Sequence, residues 1–157
     1  MSASASFFVI DRAAISDLTA AADPESGTGL YAVAHAVGHD LDAVAEGAVF
    51  PWSGYCFVFL MEFLASRGVY RATEFTDAEQ LLSSSAGVGA YLLTPASFTD
   101  LALLDPDRYD ESDIRRYFDE LGVGFTEAGV AGKDGIAGLA EHVGALDSDQ
   151  ALLVLVG

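Results

Sequence analysis

The sequence predicts an α+β domain, with a small sheet that includes both terminal strands and several helices covering it. Three observations carry this reading. The chain opens on the aromatic and β-branched run Ser6-Phe7-Phe8-Val9-Ile10, closes on the apolar run Ala151-Leu152-Leu153-Val154-Leu155-Val156, and shows helical periodicity between them. The 157 residues suit one ordinary domain, and a 52% hydrophobic content is enough to build its core. No repeat or linker divides the chain, so residues 1–157 are read as a single domain.

Taken in order, the opening strand is followed by Asp11 in an N-cap position, ahead of Ala13, Ala14, Ile15 and Leu18 on one helix face. Asp23-Pro24 ends that helix, because proline disfavours helix at the residue before it. From Leu30 to Glu46, apolar residues recur at three and four and predict an amphipathic helix. Phe50-Pro51-Trp52-Ser53-Gly54 is a loop, and Tyr55 to Ser66 is apolar nearly all round, which marks a buried central helix closed by Arg67 and Gly68.

Val69 to Thr73 is read as a short strand, and Thr76-Asp77-Ala78-Glu79 as a capping box opening a helix through Leu81 and Leu82. Gly87 to Leu93 is a second buried strand. Thr94-Pro95 then supplies a cap and a first-turn proline for a helix carrying Leu101, Leu103 and Leu104. Ser112 to Leu121 is amphipathic, Gly122 to Gly135 is read as a glycine-rich loop, and Ile136 to Leu146 is the last helix. The closing run suits an interior strand, buried on both faces.

The two ends resemble those of the YfbM-like bacterial proteins, a family of small acidic α+β domains of unknown function. The residues that carry the resemblance are Phe7-Phe8-Val9-Ile10-Asp11 and Ala151 to Gly157. It implies paired terminal strands and brings no catalytic residues to transfer.

Charge is the outlying feature of the composition. With 24 acidic and 7 basic residues the net charge is −17. Such a field repels nucleic-acid phosphates and anionic lipids and attracts basic proteins, so a basic protein is the expected partner, with no nucleic acid and no membrane. The excess is uneven: residues 1–70 carry eight acids and two arginines, whereas residues 71–157 carry sixteen acids and five basic residues. The only cysteine, Cys56, has no internal partner for a disulfide, and the first residues lack the basic and apolar regions of a signal peptide. The longest apolar stretch, Gly54 to Leu64, is well short of the ~20 residues of a membrane span. A cytoplasmic setting is expected.

His35 and His39 lie four apart on one helix face, a spacing that lets two imidazoles share a metal, with Asp40 and Asp42 nearby. Ala36 replaces the glutamate a zinc-protease helix needs. Trp52 and Tyr55 are candidate binding residues on the aromatic turn, against the alternative that Trp52 plugs the core. Glu62 interrupts the most apolar stretch, where a buried carboxylate would titrate high, against the more usual placement on the polar edge of its helix or paired with a basic residue. Gly132-Lys133 lacks the serine or threonine of a P-loop, and Glu127 stands where a dinucleotide fingerprint needs its third glycine, so no cofactor is expected.

The run from Asp100 to Glu120 holds eight acids against three arginines. Within it Asp105, Asp107, Asp110, Glu111 and Asp113 are the candidate docking residues. The lack of any complete catalytic motif favours a non-enzymatic binding or inhibitor protein, of the immunity type, for a basic partner. The competing readings are a small metal-dependent or hydrolytic enzyme using His35 and His39, and an acidity that concerns solubility or a salty cytoplasm alone.

Overall fold

In the computed structural model, which describes residues 3–21, 49–71, 73–86 and 89–157, the apolar C-terminal run becomes the middle strand of a sheet. β1 (Ala5–Asp11) and β2 (Gly89–Leu93) flank β3 (Gln150–Val156), both antiparallel to it. The register pairs Phe8 with Leu153 across β1 and β3, and Leu92 with Leu153 across β2 and β3. Beyond the strands, Ser4 N–H donates to Gly157 O at 2.9 Å and Gly157 N–H to Ser4 O at 3.0 Å, so the two ends of the chain are clasped together.

Alternation along the strands splits the core into two layers. Ala5, Phe7, Leu152, Val154 and Val156 join one cluster, with α2 (Gly54–Ser66), α4 (Glu111–Glu120) and α5 (Ala128–Gly144). Phe8, Ile10, Ala151, Leu153 and Leu155 join the other, with α1 (Ala14–Ala21) and α3 (Thr76–Ala86). Every residue from Ala151 to Val156 is buried, which is why β3 has no polar alternation. Helix α2 is the hub of the larger layer, with Phe57, Leu60, Phe63 and Leu64 fully buried. It ends as predicted, with Gly68 at φ +72°.

Several sequence expectations are corrected. Asp11 is the last residue of β1, paired with Gln150, and α1 starts only at Ala14, so sheet pairing takes the residue that local capping would use. Among the described residues of the 69–73 segment there is no strand. Tyr70 makes one bridge to Phe98, because this segment faces an irregular corner instead of the sheet. The helix expected after Thr94-Pro95 is three short 3-10 turns, Pro95–Ser97, Leu101–Leu103 and Pro106–Arg108. The Asp100 carboxylate accepts from Ala102 N at 2.9 Å, and that of Asp105 accepts from Asp107 N at 3.0 Å. Each restarts the chain in a local turn that competes with a continuous helix. Pro106 holds Asp105 extended as well.

The largest correction concerns the glycine-rich stretch. From Ala128 onward it is helix, not loop. Gly129, Gly132 and Gly135 form a stripe facing α4 and α2. A Cβ on Gly129 would stand 2.5 Å from Glu111 O, one on Gly132 would stand 2.7 Å from Ile114 Cγ2, and one on Gly135 would meet Leu60 Cδ2. The glycines are there for close helix packing, which outweighs their poor helix propensity. The predicted helix from Leu30 to Glu46 lies outside the described residues.

Candidate functional site

The acidic segment is fastened to the core from beneath. Leu104 is buried, the Tyr109 hydroxyl donates to Leu103 O at 2.8 Å, and the Tyr109 ring meets Phe63 of α2 edge-on at 5.8 Å. Helix α4 buries Ile114 and Phe118 and turns its other face to solvent. Asp105, Asp107, Asp110 and Glu111 are therefore exposed on a scaffold held by apolar anchors.

The structure divides the acids by role. Asp100 and Asp105 spend one carboxylate oxygen on their own turns. Asp113 is half-buried and bridges two arginines, Arg116 at 3.4 Å and Arg67 at 4.0 Å. On α4, Arg115 and Arg116 stand four residues from Glu111, Asp119 and Glu120, so that helix face is mixed in sign. A cleft of about 540 Å³ lies beside it, lined by Glu111, Arg115, Arg116, Asp119, Thr126 and Val130 among others. Within the acidic run the uncompensated charge thus falls on Asp100 to Asp110, where four aspartates face a single arginine, Arg108.

The aromatic turn spreads its side chains apart. Phe50 is buried, Trp52 is half-buried and Tyr55 is 42% exposed at the start of α2. Trp52 Nε1 donates to the Asp134 carboxylate at 2.7 Å, and its ring meets Phe125 edge-on at 6.0 Å, which pins the loop to α5. Cys56 is buried, and burial pushes its thiol above the ordinary value, which disfavours the nucleophilic thiolate. Glu62 is exposed on the outer edge of α2, the polar-edge placement, and not buried. His142 is half-buried, its ring 5.1 Å from that of Phe7. His35, His39, Asp40 and Asp42 lie outside the described residues. Among the described residues no three metal-ligating side chains gather, and no helix is long and apolar enough to cross a membrane.

Sequence reasoning missed the carboxylate that is most perturbed among the described residues. The supposed capping box does not form: Thr76 is itself the first residue of α3, and its hydroxyl donates to Thr73 O at 2.8 Å. Glu79 leaves the helix terminus and reaches the sheet, where it accepts from Leu92 N at 3.2 Å and from the Tyr70 hydroxyl. Burial raises the Glu79 carboxyl to about 7, against the pull of those two hydrogen bonds. Tyr70 is pushed up to about 12, first by burial and then by the Glu79 charge. Burial pushes Tyr91 well above the ordinary range too. One turn on, Ser83 Oγ accepts from Ala90 N at 2.8 Å. A helical step of four residues rises about 6 Å and a strand step of two about 6.8 Å, so Glu79 and Ser83 match successive outward N–H groups of β2. The pair closes an edge that would otherwise recruit another strand.

No family model matches the chain, and no curated protein and no solved structure matches it either. The resemblance to YfbM-like proteins rests on the two terminal strands alone.

Proposed function

We propose that the protein is a non-enzymatic binding protein, of the inhibitor or immunity type, that receives a basic protein partner on the exposed acids from Asp100 to Glu111, with the half-buried Asp113 at its edge. The observation that carries this reading is the placement of Asp105, Asp107, Asp110 and Glu111 on short turns and a helix start, exposed above the buried Leu104 and the half-buried Tyr109. A surface held in place before binding costs little to order, and its charge steers an oppositely charged partner into contact. Nucleic acid is an unsuitable partner for such a face. The cytoplasm is the setting this reading assumes, on the strength of the single, buried Cys56.

The test compares two variants that each remove four negative charges. One carries Asp105→Asn, Asp107→Asn, Asp110→Asn and Glu111→Gln; the other neutralises Asp17, Asp77, Glu141 and Asp149. Asparagine at 105 keeps the local turn, since its side-chain oxygen still accepts. Association with an arginine- and lysine-rich peptide is followed by stopped flow at low salt. The first variant is expected to associate about tenfold more slowly than the parent and the second to change little. Equal slowing in both would mean that net charge alone governs binding, and the reading would be wrong.

A further inference from the structure

A second cleft gathers two arginines and a single acid. It holds about 300 Å³ and is lined by Arg12 from the β1–α1 turn, Arg71, Thr73, Glu74 and Phe75 from the segment after α2, and Thr94 with Ala96 past the end of β2. The two guanidinium groups are held in the same manner. Arg12 Nε donates to Gln150 O at 3.0 Å and Arg71 Nε donates to Ala96 O at 3.2 Å. Each tether uses the nitrogen nearest the aliphatic stem and leaves the terminal NH₂ groups to another acceptor.

The ion pairs of the described residues involve Arg67 and Arg116, both on Asp113. Arg12 and Arg71 have no such carboxylate within 4.0 Å among the described residues. In a chain with 24 acids and 7 basic residues, two arginines that line one cleft and make no ion pair among the described residues are a marked departure from the average surface. The planar fork of a guanidinium matches the paired oxygens of a phosphate or carboxylate, and two such forks lining one cleft suit an oxyanion. The cleft volume is at the lower end of the range for small-molecule sites.

We propose that this cleft binds a small molecule through an oxyanion group held by the terminal nitrogens of Arg12 and Arg71, with the Phe75 ring against the remainder of the ligand. Glu74 stands exposed in the same lining and opposes a second negative charge, so the site favours a ligand of low total charge.

The experiment is isothermal titration of the full chain with inorganic phosphate, phenyl phosphate and benzoate, with ionic strength matched by sodium chloride. Phenyl phosphate is expected to bind more tightly than inorganic phosphate because its ring meets Phe75, and benzoate reports whether a carboxylate is accepted by the same forks. Arg12→Gln and Arg71→Gln are each expected to weaken binding about tenfold or more, Glu74→Gln to strengthen it, and Arg115→Gln, in the other cleft, to leave it unchanged. Arg12→Lys keeps the charge and loses the fork. With its fold checked by circular dichroism, it should weaken binding too, which separates recognition from loss of structure. Heats no larger than the chloride blank, affinities indifferent to Arg12 and Arg71, or an equal loss in Arg115→Gln would each overturn the proposal.

Discussion

Glu79 illustrates how one side chain can hold a local signal and a tertiary role in conflict. Its spacing from Thr76 reads as a capping box, yet its carboxylate is drawn to Leu92 N and the Tyr70 hydroxyl. The consequence is a defined pH dependence. The folded-state value is about 7 against an ordinary 4.5, so between those limits the native chain binds more protons at this site than the unfolded chain. Stability contributed by this group is greatest below about pH 4.5 and is lost as pH rises through 7. Glu79→Gln keeps an acceptor for Leu92 N without the buried charge. Its melting temperature should match the parent near pH 5 and exceed it at pH 8. A difference that is constant across that range would show that Glu79 does not titrate as described. No sequence pattern announces this residue, because Tyr70 and Leu92 become its neighbours only when α3 packs along β2.

Among the elements, α5 shows why a composition can mislead. Glycine lowers helix propensity by about 1 kcal/mol per residue relative to alanine, and on that ground the stretch from Gly122 reads as loop. The helix persists because Gly129, Gly132 and Gly135 let α4 and α2 approach its backbone. The three-residue spacing of these glycines, beside Ala128, Ala131, Ile136 and Leu139, is the signal that was available. Gly129→Ala should destabilise the protein by about 1–3 kcal/mol in urea titration, because the added carbon meets the backbone of Glu111. Gly138 has nothing within 4 Å of its added carbon, and Gly138→Ala should stabilise by about 0.5–1 kcal/mol. The same sign for both would remove the packing explanation. The 3-10 turns carry the complementary lesson: their aspartates were legible as charge, whereas their use as turn acceptors depends on where the backbone bends.

For the whole molecule, a net charge of −17 on one small domain entails self-repulsion. The screening length falls from about 10 Å at 0.1 M salt to about 3 Å at 1 M, so the melting temperature should rise over that interval. A flat response in differential scanning calorimetry would mean that the acids are too dispersed to repel one another appreciably. Sequence by itself determined the α+β class, the terminal strands, the buried helix α2 with its glycine stop, and the concentration of acid after Asp100. These follow from periodicity, hydrophobicity and charge, which are properties of neighbouring residues. The interior place of the last strand was also legible, from its unbroken apolar run; only the tertiary structure decided that both flanking strands run antiparallel to it, that glycines line a helix interface, and that Glu79 closes a sheet edge. It alone brought Arg12 and Arg71 into one cleft and separated the acids that cap turns from those that face solvent. Each of these depends on contacts between residues far apart in the chain, to which local patterning is blind.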